Sequence, residues 1–309
     1  MPARWSSRTS TLAPTIVQTK RSGIHPTAQI DPAAELGAGV TVGAGCVVGP
    51  RVRIGDGCVL HAHALVEGET EIGPNCSIYP FTVLGFPPQD KKMRRDVGAL
   101  TRERWIDDDS RWLGKLRIGA DNEIREHVTM QGGTPWGVGE TRIGDGNMFL
   151  AGSHVGHDST VGSHCVFTNG AMAAGHSVIQ DHAILGAMVG VHQFARVGRF
   201  AMIGAGSMLS HDAPPFSLVQ GDRARLVALN LIGLRRSGFG VEQIALLKRT
   251  YRLLFWRSGL LEERIAHARE LGGGNPLVEE ILEFVERSGR GVCTPRGRVA
   301  PGDEPMERA

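Results

Sequence analysis

From Ile24 onward an aliphatic residue stands at every sixth position: Ile24, Ile30, Leu36, Val42, Val48, Ile54, Leu60, Val66, Ile72, Ile78 and Leu84. The frame resumes at Ile118, Ile124 and Met130, breaks again, then runs unbroken from Ile143 through Phe149, Val155 and Val161 to Ile203 and Leu209, with Ala173 its one weak member. Four places after each aliphatic residue comes a second, smaller column: Ala28, Ala34, Val40, Cys46, Val52, Cys58, Ala64. Glycine often follows the aliphatic residue, as at Gly37, Gly43, Gly55 and Gly73, where a corner needs close backbone approach. Two inward positions per hexad account for both columns. Three hexads make one coil, and coils stacked at the spacing of paired strands, about 4.8 Å, give roughly nine coils and a prism on the order of 40 Å tall. The pattern predicts a three-sided parallel β-helix over residues 24–212.

Two segments leave the frame, residues 85–117 and 131–142, and are expected to project from prism corners as loops. Long loops in compact domains are usually functional or disordered. After Asp212-Ala213-Pro214-Pro215 the period changes. Apolar residues near 226–234, 241–256, 259–271 and 276–287 recur at helical spacing, punctuated by Gly238, Gly240 and Gly272-Gly273-Gly274, so a small α-helical C-terminal domain is expected over 213–288. Residues 289–309, polar and rich in Gly, Pro and Arg, read as a disordered tail. Residues 1–23 read as a disordered leader. They hold Arg4, Arg8, Lys20 and Arg21 and no acid, which also fits an organellar transit peptide.

Composition narrows the functional classes. Aromatics make up 6% of the chain while glycine reaches 42 residues, as suits a small aliphatic core with many tight turns. A net charge of +2 gives no ground for nucleic-acid binding. No apolar run is long enough for a transmembrane helix, and without a secretory signal the expected location is cytoplasmic. Cys46, Cys58, Cys76 and Cys165 fall on the small inward phase, leaving Cys293 in the tail, so they are core filler in a reduced compartment. Flat apolar outer faces would be buried by association into a homotrimer.

The histidines bring in chemistry. His154, His157, His176 and His192 all miss the inward phases. His176 lies 19 residues and Gln193 36 residues beyond His157, so they should form a rough column along one outer edge. Neutral imidazole suits general-base work, and the adjacent Asp158 would fix its tautomer.

The stretches His154-Val-Gly-His157-Asp158-Ser-Thr-Val-Gly, Ala174-Gly175-His176, Val191-His192-Gln193-Phe194 and Gly233-Leu-Arg-Arg236-Ser-Gly-Phe239 resemble the UDP-N-acetylglucosamine O-acyltransferases over roughly residues 24–288. That resemblance implies a left-handed β-helix. It also implies transfer of a 3-hydroxyacyl chain from acyl carrier protein to the 3-hydroxyl of UDP-N-acetylglucosamine, the first step of lipid A biosynthesis, without cofactor or metal. By position, it makes His157 the general base, Asp158 its orienting partner and the Gly175 N–H an oxyanion donor. His154, His176, His192 and Gln193 would line the sugar and acyl channel, and Asp90 and Lys92 match substrate-contacting positions. Asn230 and Arg236 match nucleotide-binding positions, Ala205 the position governing acyl length, and the basic residues of the helical domain would receive acyl carrier protein.

The sequence departs from the family pattern where Gln131 stands for a histidine, Ile232 for a polar residue and Ser237 for an arginine. A further insertion lies near 96–112. These changes keep open acylation of an amino group on a related UDP-amino sugar. Two other readings stand beside it: a γ-class carbonic anhydrase-like metalloenzyme using His154, His157 and His176, and a non-catalytic β-helix scaffold.

Overall fold

The structure is a computed structural model that describes residues 23–92 and 114–295. Residues 1–22, residues 93–113 with the whole of the 96–112 insertion, and residues 296–309 lie outside the described residues, and with them nearly all of the expected leader and the far end of the expected tail.

Because inward residues recur every six positions, short strands pair with strands three hexads away. In one sheet Thr41–Val42 pairs with Val59–Leu60, and that strand with Ser77–Ile78, all in parallel. A second sheet begins Gln29–Ile30, Val47–Val48, Leu65–Val66, and a third Glu35–Leu36, Val52–Ile54, Glu69–Ile72. The three sheets contain 11, 9 and 8 strands and enclose a single column of buried side chains. Val42, Leu60, Val66, Ile78, Leu84, Ile124 and Leu185 are each at most 1% exposed. Burying such a side chain is worth about 1.5–3 kcal/mol. The first described coil is looser, with Ile24 55% exposed because no coil among the described residues covers it.

The smaller inward column is partly polar, and the polar groups pair along the coil axis. Asn122 Nδ2 donates to the carbonyls of Gly119 and Gly144, its Oδ1 accepts from Asn147 N, and Asn147 Oδ1 accepts from Cys165 N. Stacked asparagines thus satisfy buried backbone groups that an aliphatic residue would leave open. The five cysteines are buried, and none forms a disulfide among the described residues.

Both expected loops are shorter than their frame breaks. Val83–Phe86 and Lys115–Ile118 are strands, so the first departure narrows to 87–114. Thr129–Gln131 and Glu140–Ile143 are strands, narrowing the second to 132–139. The aliphatic register slips there, but the backbone still pairs: Leu116 and Thr141, two residues before Ile118 and Ile143, take the smaller inward position and are buried.

The helical reading of 226–234 needs correction. Ser217–Gln220 continues the first sheet and turns back as Arg225–Leu229 in an antiparallel hairpin that closes the stack. Helices follow at Leu231–Arg236, Val241–Tyr251, Leu261–Gly272 and Pro276–Glu286, with a single π turn at Arg252–Trp256. The last helix is held to the prism by Arg196. Its Nε binds Asp212 Oδ2 at 2.8 Å and its Nη2 donates to the Phe284 carbonyl, while Arg199 binds Glu280 with two nitrogens. The expected disorder of 289–309 is also corrected in part. Val292 bridges Asp212, Leu226 N donates to Thr294 O, and Cys293 is 2% exposed.

The outer faces differ. The third sheet carries alternating charge, with pairs Glu35–Arg53, Glu71–Arg117 and Glu69–Lys115. The first and second sheets instead expose Met148, Met172 and Met208, so the apolar outer surface expected of the prism is confined to two of its three faces. No helix among the described residues is long and apolar enough to cross a membrane.

Candidate active site

The chemistry gathers at the corner between the second and third sheets, where the chain leaves His154–Val155 and turns toward Thr160–Val161. Residues of three successive coils adopt left-handed backbone there: Asp158 (φ 57°), His176 (φ 60°) and Phe194 (φ 64°). That conformation is uncommon for residues other than glycine, above all for a bulky ring, and it aims the three side chains outward one above another. The His176 ring meets His157 edge-on at 5.0 Å and stacks on Phe194 at 4.6 Å.

His157 and Asp158 form a buried pair, 7% and 5% exposed. His157 Nδ1 lies 2.8 Å from Asp158 Oδ2. A carboxylate only accepts, so Nδ1 carries the proton and Nε2 is left with a free lone pair. The loop 132–139 folds over the carboxylate: Thr134 donates through N and Oγ1, and Gly139 through N. Burial pushes the Asp158 carboxyl upward, but the hydrogen bonds from Thr134, His157 and Gly139 outweigh it and hold the group below the usual carboxylate range. The Asp158 carboxylate so held fixes the imidazole and stabilises its protonated form. The loop can approach so closely because residue 137 is glycine: a Cβ there would lie 2.5 Å from the Asp158 carboxylate.

Gly175 sits directly under the free nitrogen, where a Cβ would lie 2.7 Å from His157 Nε2. Equivalent corner N–H groups are capped by the next coil in some places and open in others, as at Ala151 and Ala187. Ala120 N and Ser163 N donate to Asp145 and Asp181 of the next coil. Gly175 N donates to no group among the described residues, so a donor stands open beside the basic nitrogen.

The remaining expected residues divide. Asp90 lies near the dyad, receiving hydrogen bonds from Lys92 N and from the Trp136 indole. The Lys92 N–H, the indole and the Lys92 charge hold its carboxyl below the usual range. His154 is half-buried, with Nδ1 2.7 Å from Thr129 Oγ1. His192 and Gln193 are exposed, and His192 Nδ1 turns to the Gln193 carbonyl. Asn230 caps the Leu231–Arg236 helix and donates to the Phe200 carbonyl at a different corner, with Arg236 at that helix's end. Ala205 lies at the third corner, exposed. Within one chain, therefore, the dyad, Gly175, His176 and Asp90 come together, whereas Asn230, Arg236 and Ala205 stand apart. Gln131 is buried beside the loop. Thr134, Gly139, Trp136 and Phe194 belong to the site but were not singled out from the sequence.

His157, Asp158 and His176 are the one group of three potential metal ligands among the described residues, their ligand atoms within 4.8 Å. The donor set suits a metal poorly. Asp158 already accepts four hydrogen bonds, His157 Nδ1 is spent on it, and His154, the third histidine of the metalloenzyme reading, turns to Thr129 instead. A groove of about 760 Å³ runs along the charged third face past Arg53, Glu71 and Arg117, away from the dyad.

Burial keeps His61, His154, His176 and His182 below the ordinary imidazole range. Each takes up its proton more readily in the unfolded chain. Stability is thus fully present above about pH 6.5 and declines as pH falls through that value toward the folded pKa values. Urea midpoints measured from pH 7.5 to 5.5 should fall steadily, and His154→Gln should flatten part of the slope. A slope untouched by the substitution would contradict burial as the cause.

Comparison with known proteins places the site in context. The family described as UDP N-acetylglucosamine O-acyltransferase, domain 2, matches residues 212–293, and the bacterial transferase hexapeptide repeat matches residues 51–85. An acyl-(acyl-carrier-protein)–UDP-N-acetylglucosamine O-acyltransferase of Thermodesulfovibrio yellowstonii is 40% identical over 270 residues, covering 87% of this chain and 98% of that protein. A crystal structure of a UDP-N-acetylglucosamine acyltransferase superposes with a TM-score of 0.80 at 37% identity, covering 89% of this chain and 99% of that one. An Acinetobacter baumannii relative superposes at 0.79 with 34% identity, covering 87% and 99%. The three-sided stack is therefore the left-handed parallel β-helix of these proteins, followed by their helical C-terminal region.

Proposed function

The chain belongs to the acyl carrier protein-dependent UDP-N-acetylglucosamine O-acyltransferases, the enzymes that begin lipid A biosynthesis, and from that premise we propose how its buried dyad performs the transfer. His157 Nε2 takes the proton of the sugar 3-hydroxyl. The oxygen attacks the thioester carbonyl of a 3-hydroxyacyl carrier protein, the C–S bond breaks, and the departing thiolate recovers the proton from the imidazolium. Asp158 keeps Nδ1 protonated and offsets the charge His157 acquires. The Gly175 N–H receives the oxyanion, a contact of a kind worth about 10²–10³ in rate. The observation that carries the reading is the free Nε2 of a carboxylate-paired histidine beside an uncapped N–H.

Asp90 and Lys92 meet the sugar, with His154 and His176 lining the approach. Asn230 and Arg236 serve the same pocket from the neighbouring subunit of a homotrimer, since one chain does not bring them to its own dyad, while His192 and Gln193 extend the dyad's own corner two coils on. The exposed methionines of the first two faces support such an assembly. Arg236 suits the diphosphate, and the basic helical domain suits the acidic carrier protein.

The test supplies 3-hydroxyacyl carrier proteins of several chain lengths with UDP-N-acetylglucosamine. A product ester cleaved by hydroxylamine is expected; an exclusive requirement for a 3-amino sugar, giving a resistant amide, would overturn O-acylation. Ala205→Gly should shift the preferred donor toward longer chains, because one methyl shortens the space at the channel's end. Unchanged or shorter preference in that variant would remove Ala205 from this role.

A further inference from the structure

Trp136 is half-buried in the 132–139 loop, and its place there links two segments that meet at the dyad. On either side of it, Thr134 and Gly139 bind Asp158. Its own indole Nε1–H donates to Asp90 Oδ2 at 3.1 Å, while Asp90 Oδ1 accepts from Lys92 N at 2.9 Å. The Lys92 ammonium lies 5.9 Å from the indole centroid, within cation–π range. The loop that clamps the catalytic carboxylate therefore also holds one oxygen of a second carboxylate through the indole, while the other oxygen is held by the backbone of Asp90's own segment.

We infer that Trp136 is a positioning residue for the sugar nucleotide, acting through Asp90. This rests on the proposed function, in which Asp90 meets the sugar. Asp90 comes from a segment outside the coil ladder, with no strand to fix its side chain. A carboxylate free to rotate would lose rotamer entropy whenever it accepted a sugar hydroxyl. The indole N–H removes that cost in advance and leaves the outer lone pairs of both oxygens for the ligand. Because Trp136 is bracketed by the two residues that bind Asp158, the position of Asp90 is also tied to that of the base. The sugar hydroxyl that Asp90 orients and the nitrogen that receives its proton are held by the same eight-residue loop.

Calorimetric titration with UDP-N-acetylglucosamine of the full chain and of Trp136→Phe, Asp90→Ala and the double variant tests this without depending on turnover. Trp136→Phe keeps the ring and loses only the donor. It should weaken binding about five- to tenfold, the net worth of one typical intramolecular hydrogen bond. In the Asp90→Ala background the same change should have no further effect. Turnover at saturating sugar nucleotide should stay within about twofold of the parent, because the dyad's clamp by Thr134 and Gly139 is intact. Equal weakening in both backgrounds, a fall in turnover with binding unchanged, or no effect of Trp136→Phe would each overturn the inference. So would absence of binding to the parent chain. Ester formation by the parent separately decides the proposed function: binding that follows the predicted cycle in a chain that makes no ester would keep the positioning role and discard the chemistry.

Discussion

Gly175→Ala is expected to lower turnover by about 10²-fold or more while leaving the fold in place, as the loss of one oxyanion donor and its alignment would. The added methyl would stand 2.7 Å from His157 Nε2 and 2.8 Å from Cε1. No Cβ tolerates that distance, so the imidazole must rotate away, which breaks its 2.8 Å bond to Asp158 and withdraws the lone pair from the place where the sugar hydroxyl arrives. Gly175 carries no left-handed backbone requirement, so alanine introduces no backbone strain and the coil should assemble normally. Thermal unfolding and circular dichroism should therefore match the parent, and the steady-state rate should not. A variant with near-parental turnover would show that the ring moves without consequence, and that neither its alignment nor the open N–H matters.

Much of this was legible in the sequence because a six-residue period translates directly into direction. Val155, Val161 and Ala173 on the inward phase force His157, Asp158 and Gly175 onto a corner, and the resemblance of the His-Asp and Gly-His stretches to one acyltransferase family supplied their roles. What the period could not carry was anything outside it. Leu226, Leu229, Leu231 and Leu234 have spacings that a helix also produces, yet pairing with Ser217–Gln220 makes the first two a strand. Val292 and Thr294 pair with residues about 70 to 80 positions back, Asp212 and Leu226, and the polar composition of their neighbourhood hides that. Trp136 was invisible for a related reason: its partner Asp90 lies 46 residues away in the other segment that leaves the repeat. The column of rings was placed one residue off. His176 and Phe194 stack outward over the dyad, while Gln193, two full coils above His157, is exposed.

The second large effect belongs to the base itself, and it is the most direct measure of the whole account. In His157→Ala the thioester, the sugar nucleotide and the Gly175 N–H all remain, but no neighbouring group can take over the proton. Asp158 is enclosed by Thr134 and Gly139, and His176 presents its edge to the missing ring, with Nε2 3.8 Å from Asp158 rather than at the Gly175 N–H. General-base catalysis contributes about 10²–10⁴-fold, and a loss of that size in turnover is expected, with sugar-nucleotide binding close to the parent. The measurement is the rate of ester formation from a 3-hydroxyacyl carrier protein and UDP-N-acetylglucosamine, both saturating, in parent and His157→Ala side by side. A fall of at least a hundredfold with binding retained is the predicted result; undiminished turnover in the variant would contradict the assignment of His157 as the base.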